Sequence, residues 1–330
     1  MERRIRGRVG VSERSEKSLA IFGLGGVGTA LLELLAERQP ALRLTGIADS
    51  RGALAGDLNP RDALAVKRAG SLPAEVPRFD LLKVADPDVV VDVMSCDPDT
   101  AEPALSVILE AFENGAHVVT ANKTPLARFW SDIRGAAERA GKRLGYSSAA
   151  GAALPAVAVA RSLARVDEVT AFEGVLTGTT TFVLDEMAKG VSFQEAVVRA
   201  QVQGIAEPDP TVDVGGWDTA AKVVILANTL WNTNCSISDV DVTGLNDGVQ
   251  PVRAGRPTRV VGRARRDGGR VVEPVLLAAD HSLAALKGRD KGVVFFGPAI
   301  GQVMVAGGRS HAKGAAAAVL GDVLELAGEH

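Results

Sequence analysis

Glu207, Asp209, Asp213 and Asp218 bring four carboxylates into one short stretch with no base among them, and Lys222 follows. Pro208 and Pro210 fix φ and hold the stretch extended. Asp218 and Lys222 stand i and i+4 on the helix expected over residues 217–231, so they share a face and can pair. The group has a chemical reading, in which carboxylates hold an ammonium and the lysine moves a proton. It also has a plain reading, a solvated acidic loop with a surface ion pair. A calcium loop of the EF-hand kind is excluded, because Val214 occupies the place, counted from Asp209, where that loop needs its turn glycine.

Lys123 closes the run Val118-Val119-Thr120-Ala121-Asn122-Lys123. The run reads as a strand and its C-terminal end, and ligands of open parallel sheets bind beyond such ends. That placement puts Lys123 toward a cofactor cleft; without it the residue reads as a helix-flanking surface lysine. The pattern Gly23-x-Gly25-x-x-Gly28, with Gly26 and Val27 inside it, lies between an expected strand at 19–22 and an expected helix at 29–37. Glycines in that context permit a tight turn and let backbone N–H groups approach a pyrophosphate at the helix N-terminus. Asp49 follows about twenty residues later, where an acid binds the adenosine ribose. Asp49 favours NAD, whereas Arg51 offers a grip for the 2′-phosphate of NADP, so both coenzymes stay open.

The elements that must carry these residues alternate. Strands are expected at 19–22, 42–48, 88–94, 117–120 and near 143–146, with helices at 29–37, 103–115 and 126–140. The β-branched run at 88–94 reads as a central strand buried on both faces. The alternation predicts an α/β fold with a doubly wound parallel sheet of the Rossmann type. After Tyr146 the pattern turns to α+β. A helix starts at Pro155, a strand covers 168–176, and helices cover 180–189, 192–202 and 217–231. Segments 259–265 and 270–277 flank Asp267-Gly268-Gly269, a hairpin signal. Short strands at 293–296 and 302–305 precede a final helix at 315–327.

The chain has 330 residues, which fits about two domains. Its 46% apolar and 23% charged residues are an ordinary globular mix. No run of about 18 uninterrupted apolar residues exists, so no membrane span is expected. A net charge of −3 and 4% aromatics argue against a nucleic-acid surface. Cys96 and Cys235 lie far apart, as free thiols in a reducing cytoplasm would. The four histidines do not cluster, which argues against a His-built zinc site. Residues 1–18 are rich in charge and lack an apolar stretch, so a flexible N-terminal arm is expected rather than an export signal.

Together these residues resemble the homoserine dehydrogenase family. That family shows a glycine-rich nucleotide loop, a Val-Val-Thr-Ala-Asn-Lys segment, a Gly-Thr turn, and an acidic loop of the form Gly-x-x-Glu-x-Asp-Pro. An Asp and a helix bearing Asp and Lys follow. Here they stand as residues 23–28, residues 118–123, Gly178-Thr179, and Glu207, Asp213, Asp218 and Lys222. The resemblance implies reversible reduction of aspartate 4-semialdehyde to homoserine with NADPH or NADH, in a cytoplasmic homodimer. Lys222 would exchange a proton with the substrate oxygen and Asp218 would orient it. Lys123 would sit beside the reacting carbon and the nicotinamide. Glu207, Asp213 and Asp218 would face the substrate, with Thr179 nearby, while Ser95 and Gly204 would line the cofactor. Family members also bind sodium through main-chain oxygens, which places Ala150, Ala152 and Leu154 as donors. Residues 19–150 would bind the nucleotide, with 305–330 packing back on them, and 151–304 would supply catalysis and the dimer contact. Neither the fused kinase nor the C-terminal regulatory domain of longer members is expected.

The sequence departs from the family at several places. Ser147 stands where Glu is usual, Thr177 where Asn is usual, and Ala315 where Thr is usual. Arg309 and His311 replace glycines that in the family lie close to cofactor and substrate. Two large polar residues there are expected to narrow the cleft and add positive charge. This keeps two other functions in view: a related dehydrogenase for another small amino-alcohol or aldehyde, and a catalytically weak nucleotide-binding sensor. The set Glu207, Asp213, Asp218 and Lys222 argues against the sensor, which has no use for a proton-transfer pair.

Overall fold

Val89, Val90 and Val91 occupy the middle of a six-stranded sheet, and their alternation decides its two faces. Val89 and Val91 join one apolar core and Val90 joins another, so the strand is buried on both sides as parallel sheets require. The computed structural model describes residues 16–328 apart from 71, 74, 75, 78, 79, 207, 208 and 309. In chain order the sheet comprises β1 (Lys17–Phe22), β2 (Leu42–Ala48), β3 (Ala53–Leu58), β4 (Val89–Asp92), β5 (His117–Thr120) and β6 (Leu144–Gly145). Their spatial order is β3-β2-β1-β4-β5-β6. All neighbours run parallel except β3, which pairs antiparallel at the edge. The order reverses at β1 and β4, and the crevice beyond that switch is where such sheets bind ligands.

Helices α1 (Gly26–Arg38), α2 (Pro60–Arg68), α3 (Leu81–Ala85), α4 (Ala104–Glu113), α5 (Lys123–Arg128) and α6 (Trp130–Ala140) accompany this sheet. The single helix expected at 126–140 is two helices broken at Phe129, whose φ of −123° leaves the helical region. Pro125 is tolerated inside α5 because it lies in the first turn, where an N–H has no intrahelical partner. Strand β3 and helix α2 were not anticipated, although Asn59 caps α2 through the Arg61 N–H and Pro60 opens it. Residues 1–15 lie outside the described residues. Strand β1 begins already at Lys17, within the segment expected to be an arm. Asp88 holds it there, 2.8 Å from Lys17 Nζ and 2.9 Å from the Ser18 N–H.

The second half carries α7 (Ser147–Gly151), α8 (Ala156–Val166), α9 (Gly178–Met187), α10 (Phe193–Val202), α11 (Thr211–Val214) and α12 (Trp217–Trp231). Its strands are β7 (Ala171–Val175), β8 (Asp241–Val242), β9 (Val252–Arg253), β10 (Arg256–Arg265), β11 (Gly268–Leu276), β12 (Gly292–Gly297) and β13 (Gly301–Ala306). They form a mostly antiparallel sheet in the order β13-β12-β7-β10-β11-β8, with β9 on β10. The anticipated hairpin is β10 and β11. The last helix, α13 (Ala312–Ala327), returns to the first sheet and buries Ala316, Val319, Leu320 and Val323 with residues of α1, β1 and β4. The other core runs without a break from α4 and α6 through α8 into α12 and the second sheet. That shared core fixes α12 relative to the nucleotide-type sheet.

Candidate active site

Asp218 stands in the first turn of α12 and Lys222 one turn later on the same face. Gly216 caps the helix at φ +85°, a left-handed conformation that suits glycine. A carboxylate in the first turn also complements the helix dipole. The middle of α12 is apolar all round, and Ala220 through Asn228 is buried apart from Lys222. The helix therefore has no freedom to turn its reactive face away from the cleft.

Three cationic or hydroxyl groups converge on Asp218, which is 8% exposed. Lys222 Nζ donates to Oδ2, and Thr177 Oγ1 donates to the same oxygen at 2.6 Å. Lys123 Nζ lies 3.0 Å from Oδ1. Burial alone would raise the Asp218 carboxyl, but Lys123, Lys222 and Thr177 hold it far below the usual carboxylate range. Lys222 also donates to the Leu176 carbonyl at 2.8 Å. Burial pushes the Lys222 ammonium below its ordinary value and Lys123 pushes it the same way, against the pull of Asp218. This is the direction a lysine needs to exchange protons near neutral pH.

Lys123 is the first residue of α5, and a buried aspartate holds it in place. Asp92, at the end of β4, is fully buried and accepts from Thr120 Oγ1 and Asn122 Nδ2, both at 2.8 Å. Burial raises its carboxyl above the ordinary range, against the Asn122 and Thr120 bonds. The polar residues of the 118–123 run therefore fasten the strand end from which Lys123 projects. Asp92 escaped the sequence reading. The signal was an acid in a β-branched run whose neighbouring strand ends in threonine.

Thr177, Gly178 and Thr179 form the start of α9 opposite. Thr179 Oγ1 lies 2.9 Å from Asp213 Oδ2 and 3.1 Å from the Ile205 carbonyl. Burial, and then Asp218, raise the Asp213 carboxyl. Lys123, Thr179, Gly204, Asp213, Asp218 and Lys222 all line one cavity of about 400 Å³, together with Val27 of α1. Glu207 lies outside the described residues, as does Arg309.

The glycine-rich turn meets the geometry a dinucleotide needs. Gly23 adopts φ +103°, and a Cβ there would lie 2.5 Å from the Val93 carbonyl oxygen. A Cβ at Gly28 would lie 1.9 Å from the Gly23 carbonyl oxygen. Only glycine fits either place, and the turn leaves the first N–H groups of α1, from Gly26 and Val27, without intrahelical partners. Gly25, the residue before the helix, faces open space. Asp49 directly follows β2 and is 7% exposed. Its Oδ1 accepts the Arg51 N–H at 2.8 Å and the Gly52 N–H at 3.1 Å, while Lys67 lies 2.6 Å from Oδ2. Burial would raise this carboxyl, but Lys67 and the two N–H groups lower it. Arg51 is exposed and donates to the Gly70 carbonyl at 3.0 Å. Ser95 follows β4 and is exposed outside the 400 Å³ cavity.

Near the C-terminus the structure departs from the expectation. His311 does not narrow the cleft. It caps α13, its Nδ1 accepting the Gly314 N–H at 2.9 Å, which satisfies one of the donors a helix start leaves open. Its neighbours Ser310 and Ala315 line the cavity instead. Lys291, which the sequence reading passed over, reaches the same wall from the residue before β12. It is 1% exposed and donates to the Gly151 carbonyl and to Ser310 Oγ, each at 2.8 Å.

The family model for homoserine dehydrogenase matches residues 155–324, and that for the homoserine dehydrogenase NAD binding domain matches residues 23–147. The chain belongs to the homoserine dehydrogenase family. A homoserine dehydrogenase of Methanocaldococcus jannaschii is 33% identical, over 93% of this chain and 98% of the relative. An NAD(+)-dependent homoserine dehydrogenase of Pseudomonas canavaninivorans is 32% identical, over 94% and 96%. Among solved structures, the homoserine dehydrogenase of Thermoplasma acidophilum superposes with a TM-score of 0.83 at 28% identity, covering 94% of this chain and 99% of that one. A hyperthermophilic archaeal homoserine dehydrogenase in complex with NADPH gives a TM-score of 0.83 at 25% identity, over 95% and 98%. The family's Rossmann-type sheet and its second sheet are both present.

Proposed function

We propose that this cleft interconverts L-homoserine and L-aspartate 4-semialdehyde with NADP or NAD, and that Lys222 exchanges the proton of the substrate oxygen. The observation that carries the reading is Asp218 set between two ammonium groups at the end of the nucleotide-type sheet. In the oxidative direction neutral Lys222 takes the hydroxyl proton as the carbon gives up hydride. In the reductive direction its ammonium returns that proton. Asp218 keeps the Lys222 amine oriented, and Thr177 fixes the carboxylate. The Lys123 ammonium offers positive charge where negative charge grows on the oxygen, the electrostatic help such reactions need. Asp213, steadied by Thr179, faces the substrate's ammonium, and Glu207 joins it in this assignment.

The nicotinamide coenzyme, when bound, supplies the hydride acceptor or donor. The turn at 23–28 fits its pyrophosphate: a Cβ at Gly23 or Gly28 would collide with the protein's own backbone and break the turn, while Gly25 faces open space, and Gly26, Val27 and Gly204 extend that wall. Asp49 and Arg51 take the adenosine end, with Ser95 near the cofactor. Residues 19–150 with 305–330 form the nucleotide-binding part, and 151–304 the catalytic part. A homodimer through the second sheet, in the cytoplasm, belongs to the same reading. Among the described residues no helix is long and apolar enough to cross a membrane.

A sodium ion on the carbonyls of Ala150, Ala152 and Leu154 does not fit this chain. The buried Lys291 ammonium already bonds the Gly151 carbonyl, in the middle of that segment, at 2.8 Å, so a cation on the neighbouring carbonyls would meet like charge. No step is assigned to sodium. The functional reading is tested by Lys222→Ala, which should lower kcat by about 10²–10⁴-fold, the usual worth of general acid–base help, and leave coenzyme binding intact.

A further inference from the structure

We propose that the Lys291 ammonium is a built-in monovalent cation that positions the wall of the cleft, taking the place a bound metal ion would fill. The proposal rests on the homoserine dehydrogenase reading for the reaction it supports, and on geometry alone for the cation.

Two turns meet at this wall. One is the end of α7 and the residues up to Leu154; the other carries Gly307, Gly308 and Ser310. Gly308 adopts φ +68°, and a Cβ there would lie 2.5 Å from the Leu154 nitrogen, so the backbones are in direct contact. Lys291 ties both turns. Its Nζ donates to the Gly151 carbonyl and to Ser310 Oγ, and its own carbonyl accepts the Gly307 N–H at 2.9 Å. The partners of Nζ are a carbonyl oxygen and a hydroxyl oxygen, hard neutral donors of the kind that hold a small monovalent cation.

Among the described residues no carboxylate lies within ion-pair distance of Lys291, although its side chain is buried. A buried charge without a counter-ion is costly, so a lysine here needs a reason. Packing alone supplies none, since an apolar residue of that length would fill the same space. The ammonium instead fixes oxygen atoms on two turns whose residues Gly151, Ala152 and Ser310 line the catalytic cavity beside Lys222 and Asp218. Lys291 is thus a positioning residue, and a second cation on the neighbouring carbonyls would meet like charge.

The test compares wild type with Lys291→Ala, which vacates the place, and Lys291→Met, which keeps the stem without the charge. Thermal unfolding midpoint, coenzyme Kd by fluorescence and kcat/KM are measured in sodium, methylammonium or choline chloride at equal ionic strength. Wild type should respond identically to all three salts. Lys291→Met should lose kcat/KM on the order of 10²-fold, the penalty of a misplaced site. Lys291→Ala should recover activity and midpoint in sodium or methylammonium and not in choline, which is too large to enter. A wild type that sodium stabilises or activates over choline would overturn the proposal. So would a Lys291→Met enzyme equal to wild type, or a folded Lys291→Ala that no small cation rescues. Wild type inert on homoserine would defeat the functional reading instead, and the midpoints would still decide the cation.

Discussion

Lys123 and Asp218 lie 95 positions apart in sequence by their numbering, yet Nζ and Oδ1 are 3.0 Å apart. The contact joins α5, at the end of the first sheet, to α12, in the second half. It also places a second ammonium beside Lys222, and the two share the Asp218 carboxylate.

This arrangement fixes the sign of a pH effect. Burial and then Lys123 lower the Lys222 pKa. Homoserine oxidation needs the neutral amine, so its rate should rise with pH and level off below the ordinary lysine range. Semialdehyde reduction needs the ammonium, so its rate should fall through the same pH. Lys123→Met removes a like charge, and both limbs of the profile should move to higher pH. An unmoved profile would separate Lys123 from the titration of Lys222.

Asp218→Asn keeps an acceptor for Thr177 and removes the charge between the lysines. The two ammonium groups then repel without mediation, so the Lys222 pKa should drop further. Loss of kcat should approach that of Lys222→Ala, about 10²–10⁴-fold. Steady-state kinetics in both directions would show it, and a loss confined to KM would contradict it.

Asp92 supports Lys123 from beneath. Asp92→Ala leaves the buried Thr120 hydroxyl and the Asn122 amide without their acceptor, a change that costs about 1–3 kcal/mol per unsatisfied group. Urea unfolding should report that loss, and kcat/KM should fall with it because Asn122 precedes Lys123. Asp92→Asn retains one acceptor oxygen and should lose less in both measurements.

Coenzyme choice depends on charges around Asp49. Its carboxylate repels a 2′-phosphate, and Lys67 at 2.6 Å counters it. Arg51 stands exposed beside them. Arg51→Ala should weaken NADPH more than NADH, since only NADPH carries the phosphate a guanidinium would grip. Lys67→Met should shift preference the same way. Equal losses for both coenzymes, measured as Kd, would remove these residues from the selection.

Local patterns made much of this legible. The strand at 42–48, the strand at 117–120 and the helix at 217–231 follow from short-range periodicity, and Asp218 and Lys222 from i,i+4 spacing. The edge strand β3 did not, because Ala53–Leu58 contains glycine and aspartate and reads as a loop. Lys291 was invisible for a different reason. Its partner Gly151 is 140 residues away, and nothing near either residue announces the contact. His311 misled because it was compared with the family's glycine rather than with its own neighbour, the start of α13, where it serves as a cap.

The central claim is the substrate, and one spectrophotometric measurement addresses it. Purified protein is mixed with NADPH or NADH and L-aspartate 4-semialdehyde, and coenzyme oxidation is followed beside homoserine formation. Semialdehyde-dependent oxidation should appear with homoserine in equal amount, at a kcat/KM of about 10⁴ M⁻¹s⁻¹ or more, the ordinary range for enzymes on their own substrates. Coenzyme that binds but is not oxidised with the semialdehyde, or is oxidised faster with another small aldehyde, would contradict the assignment.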